Sequence, residues 1–402
     1  MPRALISRAV ALALSLAALV GGWTADASVS ATRELGIPVL QDQSPASRTQ
    51  HYEYVVGNQQ LFIYDLDNAL TLVQSFALPP AAHSNIKGVV ASPATRMLYI
   101  SYGGDGGTDG NGSLLKYDLL RNEIVWSKTY GHGVDSMAIT PDGAFIYMPV
   151  GEEAKTSHEW KVLDAASSDE VGSVSGGLAP HNTVVSLSGA HVYLGGREDR
   201  TLYVRNVADG SLYKSIGPFI DTLRPFAINT AESLVYTTHT GLLGFQVASI
   251  TNGNVLYTAK VEGFHSASDF TTPSHGISLS PDEREIYLID TANAYAHVFD
   301  VSHVPDSAPV LVASIPVSNK FTGNEDGCGT GWCGKIGWLR HTLDGRFVVV
   351  GNSGDVIDTA ARRVVGSLPQ LAETRKMIEI DWTDGVPVQA TPREGLGYGP
   401  PR

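Results

Sequence analysis

One pattern recurs along this chain: a short apolar strand, a turn of the Ser-Pro-Asp-Gly type, and a second β-rich run that ends on a fixed anchor. "KGVVASPATRMLY" ends at Tyr99, "DSMAITPDGAFIY" at Tyr147 and "HNTVVSLSGAHVY" at Tyr193. "RPFAINTAESLVY" ends at Tyr236, "HGISLSPDEREIY" at Tyr287 and "GWLRHTLDGRFVV" at Val349. The anchors follow one another at intervals of 43 to 62 residues, the range in which a repeat is a whole supersecondary unit. A second hairpin follows each anchor, as in "LLKYDLLRNEIVWS", "TLYVRNVADGSLYKSI", "HVFDVSHVPDSAPVLVASI" and "DVIDTAARRVVGSL". Each is an apolar run, a polar turn and a returning apolar run, the signature of antiparallel strands. A unit therefore holds four strands.

The second hairpins number seven. The first, "LFIYDLDNALTLVQSF", lacks a complete opening hairpin, and the last opening strand, "KMIEIDW", has no second hairpin after it. The two half-units complete each other if the ends of the chain pair. That predicts an all-β fold, a seven-bladed β-propeller of four-stranded antiparallel blades, closed by the N- and C-terminal segments. Closure removes the open sheet edges that invite aggregation. An open β-solenoid is the alternative, but it gives no reason for complementary half-units. The propeller is expected over residues 51–385, after an extension at 28–50 and before a Pro/Gly-rich tail at 386–402.

These repeats resemble the YVTN-type seven-bladed propellers, in which "SPDG…IYV" follows a small apolar strand. Here "YISY", "YMPV", "YLGG", "YTTH" and "YLID" stand where that family has its tetrapeptide. The resemblance covers roughly residues 50–385 and implies the fold. For function it implies only a range: binding proteins, oxidoreductase subunits and lyases, with secreted propeller polysaccharide lyases as one branch.

The first 27 residues place Arg3 and Arg8 ahead of an apolar run from Ala9 to Val20, then the small-residue site Ala25-Asp26-Ala27. This is the pattern of a secretory signal peptide, and the run is shorter than the ~20 apolar residues a membrane span needs. A secreted or periplasmic protein is expected, with no membrane span. The whole chain has a formal charge of −13, and removing the leader leaves 26 basic against 40 acidic side chains. Such a surface repels nucleic acid. Cys328 and Cys333 are the two cysteines, and in an exported protein they are expected to close a small disulfide loop.

The residue twelve before each anchor starts the innermost strand, at one mouth of the central channel. Those residues are Lys87, Asp135, His181, Arg224, His275 and Gly337, with Lys376 or Arg375 in the seventh blade. Packing alone would put similar small residues there; instead they are ionisable and mostly basic. His83 and His132 lie in loops entering the first two blades. Three residues after the anchor, Tyr102, His239, Asp290 and Asn352 reach the same face, with Asn58 in the composite blade. Arg340 and His341 replace apolar or small residues within the sixth inner strand. The expectation is a cationic funnel in an acidic protein, lined by His83, Lys87, His132, Asp135, Arg224, His239, Arg340, His341 and Lys376. Crowded like charges cost stability unless a ligand relieves them, which points to an anionic glycan or another small anion.

Each histidine taken singly also fits a scaffold role, bonded to a neighbouring backbone group; "GHGVD" around His132 is similar to the structural histidine of tryptophan–aspartate propellers. Taken with the basic ring, His181 and His275 are the expected acid–base pair of a lyase acting on a uronate-containing glycan, with Tyr102 as a further acid. The alternative is a non-enzymatic propeller that binds an anionic ligand or a protein partner, and hydrolysis by paired carboxylates ranks third. No cofactor is expected. Calcium on Asp105, Asp109 and Asn111 competes with a solvated turn for the loop "GGDGGTDGNGS". The sequence holds no nucleophile elbow and no phosphate-cradling loop. A monomer is expected.

Overall fold

The computed structural model describes residues 48–57, 59–82, 85–104, 111–265, 272–318, 321 and 336–392. They form seven antiparallel sheets in a ring, each strand pairing with its neighbour in sequence. Six blades are contiguous: residues 88–129, 138–175, 180–216, 223–260, 277–316 and 338–367. The seventh joins both ends of the chain. Thr49–Val56 runs antiparallel to Met377–Thr383, in register from Thr49 opposite Thr383 to Val55 opposite Met377, and Gln60–Asp65 and Thr71–Ala77 complete the sheet. Among the described residues no helix is long and apolar enough to cross a membrane.

Burial falls outward along each blade and accounts for the sequence pattern. Inner strands such as Gly88–Ser92 are buried on both faces and read as apolar runs, whereas outer strands such as Arg363–Ser367 alternate exposed and half-buried residues. The anchors Tyr99, Tyr147, Tyr193, Tyr236, Tyr287 and Val349 are all buried. Two also stitch one blade to the next. The Tyr99 hydroxyl donates to the Ala165 carbonyl of blade 2 at 2.9 Å, and the Tyr193 hydroxyl to Glu232 of blade 4 at 2.8 Å.

The Ser-Pro-Asp turns are built from their own side chains. Ser280 Oγ donates to Asp282 Oδ1 at 2.6 Å and Thr342 Oγ1 to Asp344 Oδ1 at 2.6 Å. Gly143 and Gly345 occupy the left-handed region there, with φ of 72° each, which explains the glycine of the repeat. In all seven blades the register slips by one residue between the third and outer strands, for example between Lys116 and Tyr117 and between Val298 and Phe299. These are β-bulges, and they add twist to the outer edge.

Two features depart from the expected organisation. The composite sheet has five strands rather than four, because Val386–Ala390 adds to the channel side of Met377–Thr383, in a stretch expected as tail. It carries Ala390, Thr391 and Pro392 to a cavity of about 180 Å³ shared with the inner strands of blades 1, 2 and 3, at the turn end of the channel. Arg340, expected at the mouth, instead lies between blades 6 and 7. Its guanidinium bonds Glu53 and, at 3.3 Å, Glu379 Oε2, all three side chains at most 1% exposed. The Leu343 backbone N–H donates to the same Glu379 oxygen at 2.6 Å. A buried ion pair is costly to break from one side. Arg340→Met removes the guanidinium that buried Glu53 and Glu379 share and is expected to lower unfolding free energy by about 3–5 kcal/mol, read from denaturant melts; Arg340→Lys recovers part of it.

Candidate functional site

The opposite end of the channel gathers most of the ring expected from the repeat. His181 Nδ1 lies 3.0 Å from Asp135 Oδ2, and Asp135 is 3% exposed. Burial alone would raise the Asp135 carboxyl; His181 beside it, with Lys87 and Lys376, holds it well below the usual carboxylate range. Lys376 Nζ donates to the Lys87 carbonyl at 2.8 Å, tying the composite blade to blade 1 across the mouth. Gly337 supplies no group to the ring: a Cβ there would meet Thr291 at 2.4 Å, so the sixth blade needs glycine for close approach.

Local irregularities aim two of these side chains. In blade 3 the pairing skips from Pro180 to Asn182, leaving His181 as the extra residue of a bulge. In blade 4 it skips from Leu223 to Phe226 around Arg224. A bulge turns a side chain that regular pleating would pack against a neighbour. Arg224 is 6% exposed, and among the described residues its Nε has no hydrogen-bond partner. Burial, then Arg197 nearby, pushes the Arg224 guanidinium down to about 10. His275 is also 6% exposed, packs its ring on Trp338 with centroids 5.0 Å apart, and leaves Nδ1 without a partner among the described residues. Burial holds this imidazole well below its ordinary value, helped by Arg375, His181, Arg224 and Lys376, so it is neutral.

Sequence reasoning missed Glu152 and Arg197. Glu152 Oε2 is 3.6 Å from His181 Nδ1 and 2.5 Å from an Arg197 guanidinium nitrogen. Burial would raise Glu152, but His181 and Arg197 outweigh it, and the carboxyl lies below its usual range. Both residues follow the second strand by four or five positions from the anchor, in "VGEEAK" and "GGREDR". The three-residue offset stopped short of them.

Other expected residues go elsewhere. Tyr102 turns outward, its hydroxyl 2.5 Å from Ser127 Oγ on the outer strand. His132 stacks on Tyr130 and reaches Glu170 at 3.1 Å, also on an outer strand. His239 is enclosed in blade 4, with Nε2 2.8 Å from Thr237 Oγ1 and its ring on Phe219. His341 sits 2.8 Å from Ser278 Oγ and borders a cleft of about 380 Å³ between the turns of blades 5 and 6, on the far face. Asp290 bonds His297 and Asn293 inside blade 5. His83, Asn58, Asp105, Asp109, Cys328 and Cys333, with the expected signal peptide, lie outside the described residues.

Three imidazoles therefore stay neutral inside the fold. Burial brings His239 down to about 4 and His341 to about 3, alongside His275. The unfolded chain takes up protons near pH 6.5 that the native state refuses, so stability is lost as pH falls from about 6.5 toward 4. His239→Gln is expected to remove about 2 kcal/mol of the loss between pH 7.5 and pH 5, measured by urea unfolding at both values.

No family profile and no curated protein matches this sequence. Solved structures do match it in fold. Kuenenia stuttgartiensis hydrazine synthase is similar with a TM-score of 0.51 at 13% identity, over 76% of this chain and 94% of that one. The dihydro-heme d1 dehydrogenase NirN, solved in complex with DHE, gives 0.51 at 13% identity over 87% and 75%. A functionally unknown protein from Desulfotomaculum acetoxidans DSM 771 gives 0.56 at 12% identity over 81% and 98%. At these identities the likeness shows a propeller fold and nothing finer.

Proposed function

We propose that this is an exported propeller of YVTN type whose channel mouth binds a uronate-containing glycan and cleaves it by β-elimination. The observation that carries the reading is the Asp135–His181 pair, 3.0 Å apart, set among Lys87, Arg224 and Lys376. The cationic groups recognise the uronate carboxylate and neutralise it, which acidifies the neighbouring C5 proton. Arg224 Nε and His275 Nδ1 are the buried groups that a bound anion would satisfy.

With Nδ1–H donated to Asp135, His181 keeps a lone pair on Nε2 for the C5 proton. The C5–H electron pair becomes the C4=C5 double bond as the C4–O bond breaks. His181 then returns its proton to the departing oxygen. One residue serves as base and acid in turn, since Tyr102 points away and a neutral His275 carries no imidazolium proton for the departing oxygen. His181 and the cations around it favour the charged form of both Asp135 and Glu152, which argues against glycoside hydrolysis, where one carboxyl must be protonated.

The test is a screen of acidic polysaccharides for products absorbing as unsaturated uronates. His181→Ala is expected to lower turnover by about 10²–10⁴-fold while binding persists. Arg224→Ala is expected to weaken binding about 10–100-fold, the loss of a charge-assisted contact. Saturable glycan binding without any product would make the protein a binding propeller, and no binding at all would remove the reading.

A further inference from the structure

The sheet that closes the ring carries a second cluster of ligating groups. His51 lies directly opposite Asp381, and Glu53 directly opposite Glu379. Residues two apart share a face, so all four side chains project on one side of the closure. His51 Nδ1 is 2.8 Å from Asp381 Oδ1 and 3.6 Å from Glu379 Oε1. Arg340 reaches the same cluster from blade 6, so three carboxylates face one guanidinium and one imidazole. Among the described residues the fully buried Glu379 Oε1 accepts no hydrogen bond, and neither does Glu53 Oε1.

We propose that His51, Glu379 and Asp381 bind one divalent transition-metal ion of the zinc class. Their ligand atoms lie within 4.8 Å of one another. Donors around a tetrahedral zinc stand about 3.3 Å apart, between the two spacings that His51 makes. One imidazole with two carboxylates suits a borderline cation; calcium would need more oxygens than three side chains supply. The ion brings two charges where a protonated His51 brings one, to three carboxylates that otherwise share Arg340, and it offers Glu379 Oε1 a bond shorter than the 3.6 Å that separates it from His51 Nδ1. The proton between His51 and the carboxylates leaves to solvent as the metal enters. The His51 side chain is 18% exposed and provides the way in. Asp135, Glu152 and His181 at the mouth offer the same ligand types, but Arg197 holds Glu152, and Lys87 and Lys376 face Asp135. A cation is repelled there.

Such an ion would join Thr49–Val56 to Met377–Thr383, the pairing that closes the ring. The test uses the full chain, stripped with a chelator and titrated with Zn²⁺ by calorimetry, with metal content measured after desalting. One Zn²⁺ per chain is expected, with a rise in Tm of about 2 °C or more at saturation. His51→Ala and Asp381→Asn are expected to weaken uptake at least about tenfold, and His181→Ala to leave it unchanged. A wild-type chain that shows no saturable Zn²⁺ uptake overturns the proposal whether or not the variants fold. So does uptake that survives His51→Ala and is lost in His181→Ala.

Discussion

The antiparallel pairing of Thr49–Val56 with Met377–Thr383 is the contact on which the rest of this molecule depends. A ring of blades has no stabilising end: each sheet packs on two neighbours, and a missing junction exposes two apolar faces at once. The junction joins segments more than three hundred residues apart, so the chain must close its largest loop to make it. Around it the fold adds buried charge to the apolar packing used between blades, where Val55 and Met377 of the closing sheet cluster with Val349 and Val356 of blade 6. Arg340, Glu53 and Glu379 form a buried triad at the blade 6–blade 7 seam. Directional, charge-assisted contacts fix register in a way that interchangeable aliphatic side chains do not, and register matters most where the two ends of the chain must find each other.

The fold was legible because its repeat is punctuated. The Ser-Pro-Asp turn, the tyrosine anchor and the half-units at each end constrain strand number and closure without reference to any side chain's direction. The site was legible only in part. Counting back from the anchor reached Lys87, Asp135, His181, Arg224 and His275, since in each of these blades that position lies at or just before the start of the inner strand. Side-chain direction was not readable. Arg340 and His341 are three and four residues further along the inner strand, where the chain has left the mouth and passes between blades. Tyr102 and His239 stand at the right height but face into their own blades. Glu152 and Arg197 lie in connecting loops, where no repeat phase applies. The fifth strand, Val386–Ala390, lies beyond the last repeat in a stretch without a partner hairpin.

The mouth is expensive to build. Arg224 and His275 are buried with donors or acceptors unused, beside cations that oppose further positive charge. A packing solution would have placed small apolar residues at these positions, as glycine is placed at 337. The bulges at His181 and Arg224 show that backbone regularity also yields to side-chain direction here. Under the proposed function, residues held at such cost are the ones that a bound anion would relieve.

The seven outer bulges have a consequence for how copies of this protein can meet. Closure hides the radial ends of the ring but leaves seven strand edges around its rim, with apolar residues such as Val73, Val125, Val171 and Val310 exposed along them. A straight edge of that kind would template a strand from another molecule. Each rim strand instead carries its kink beside the same third strand, so an incoming strand could match only a few residues before losing step. The perimeter is thus sevenfold rich in attachment points, none of which can be extended. Crowded solutions of this protein should meet through its loops and faces, leaving the rim unpolymerised.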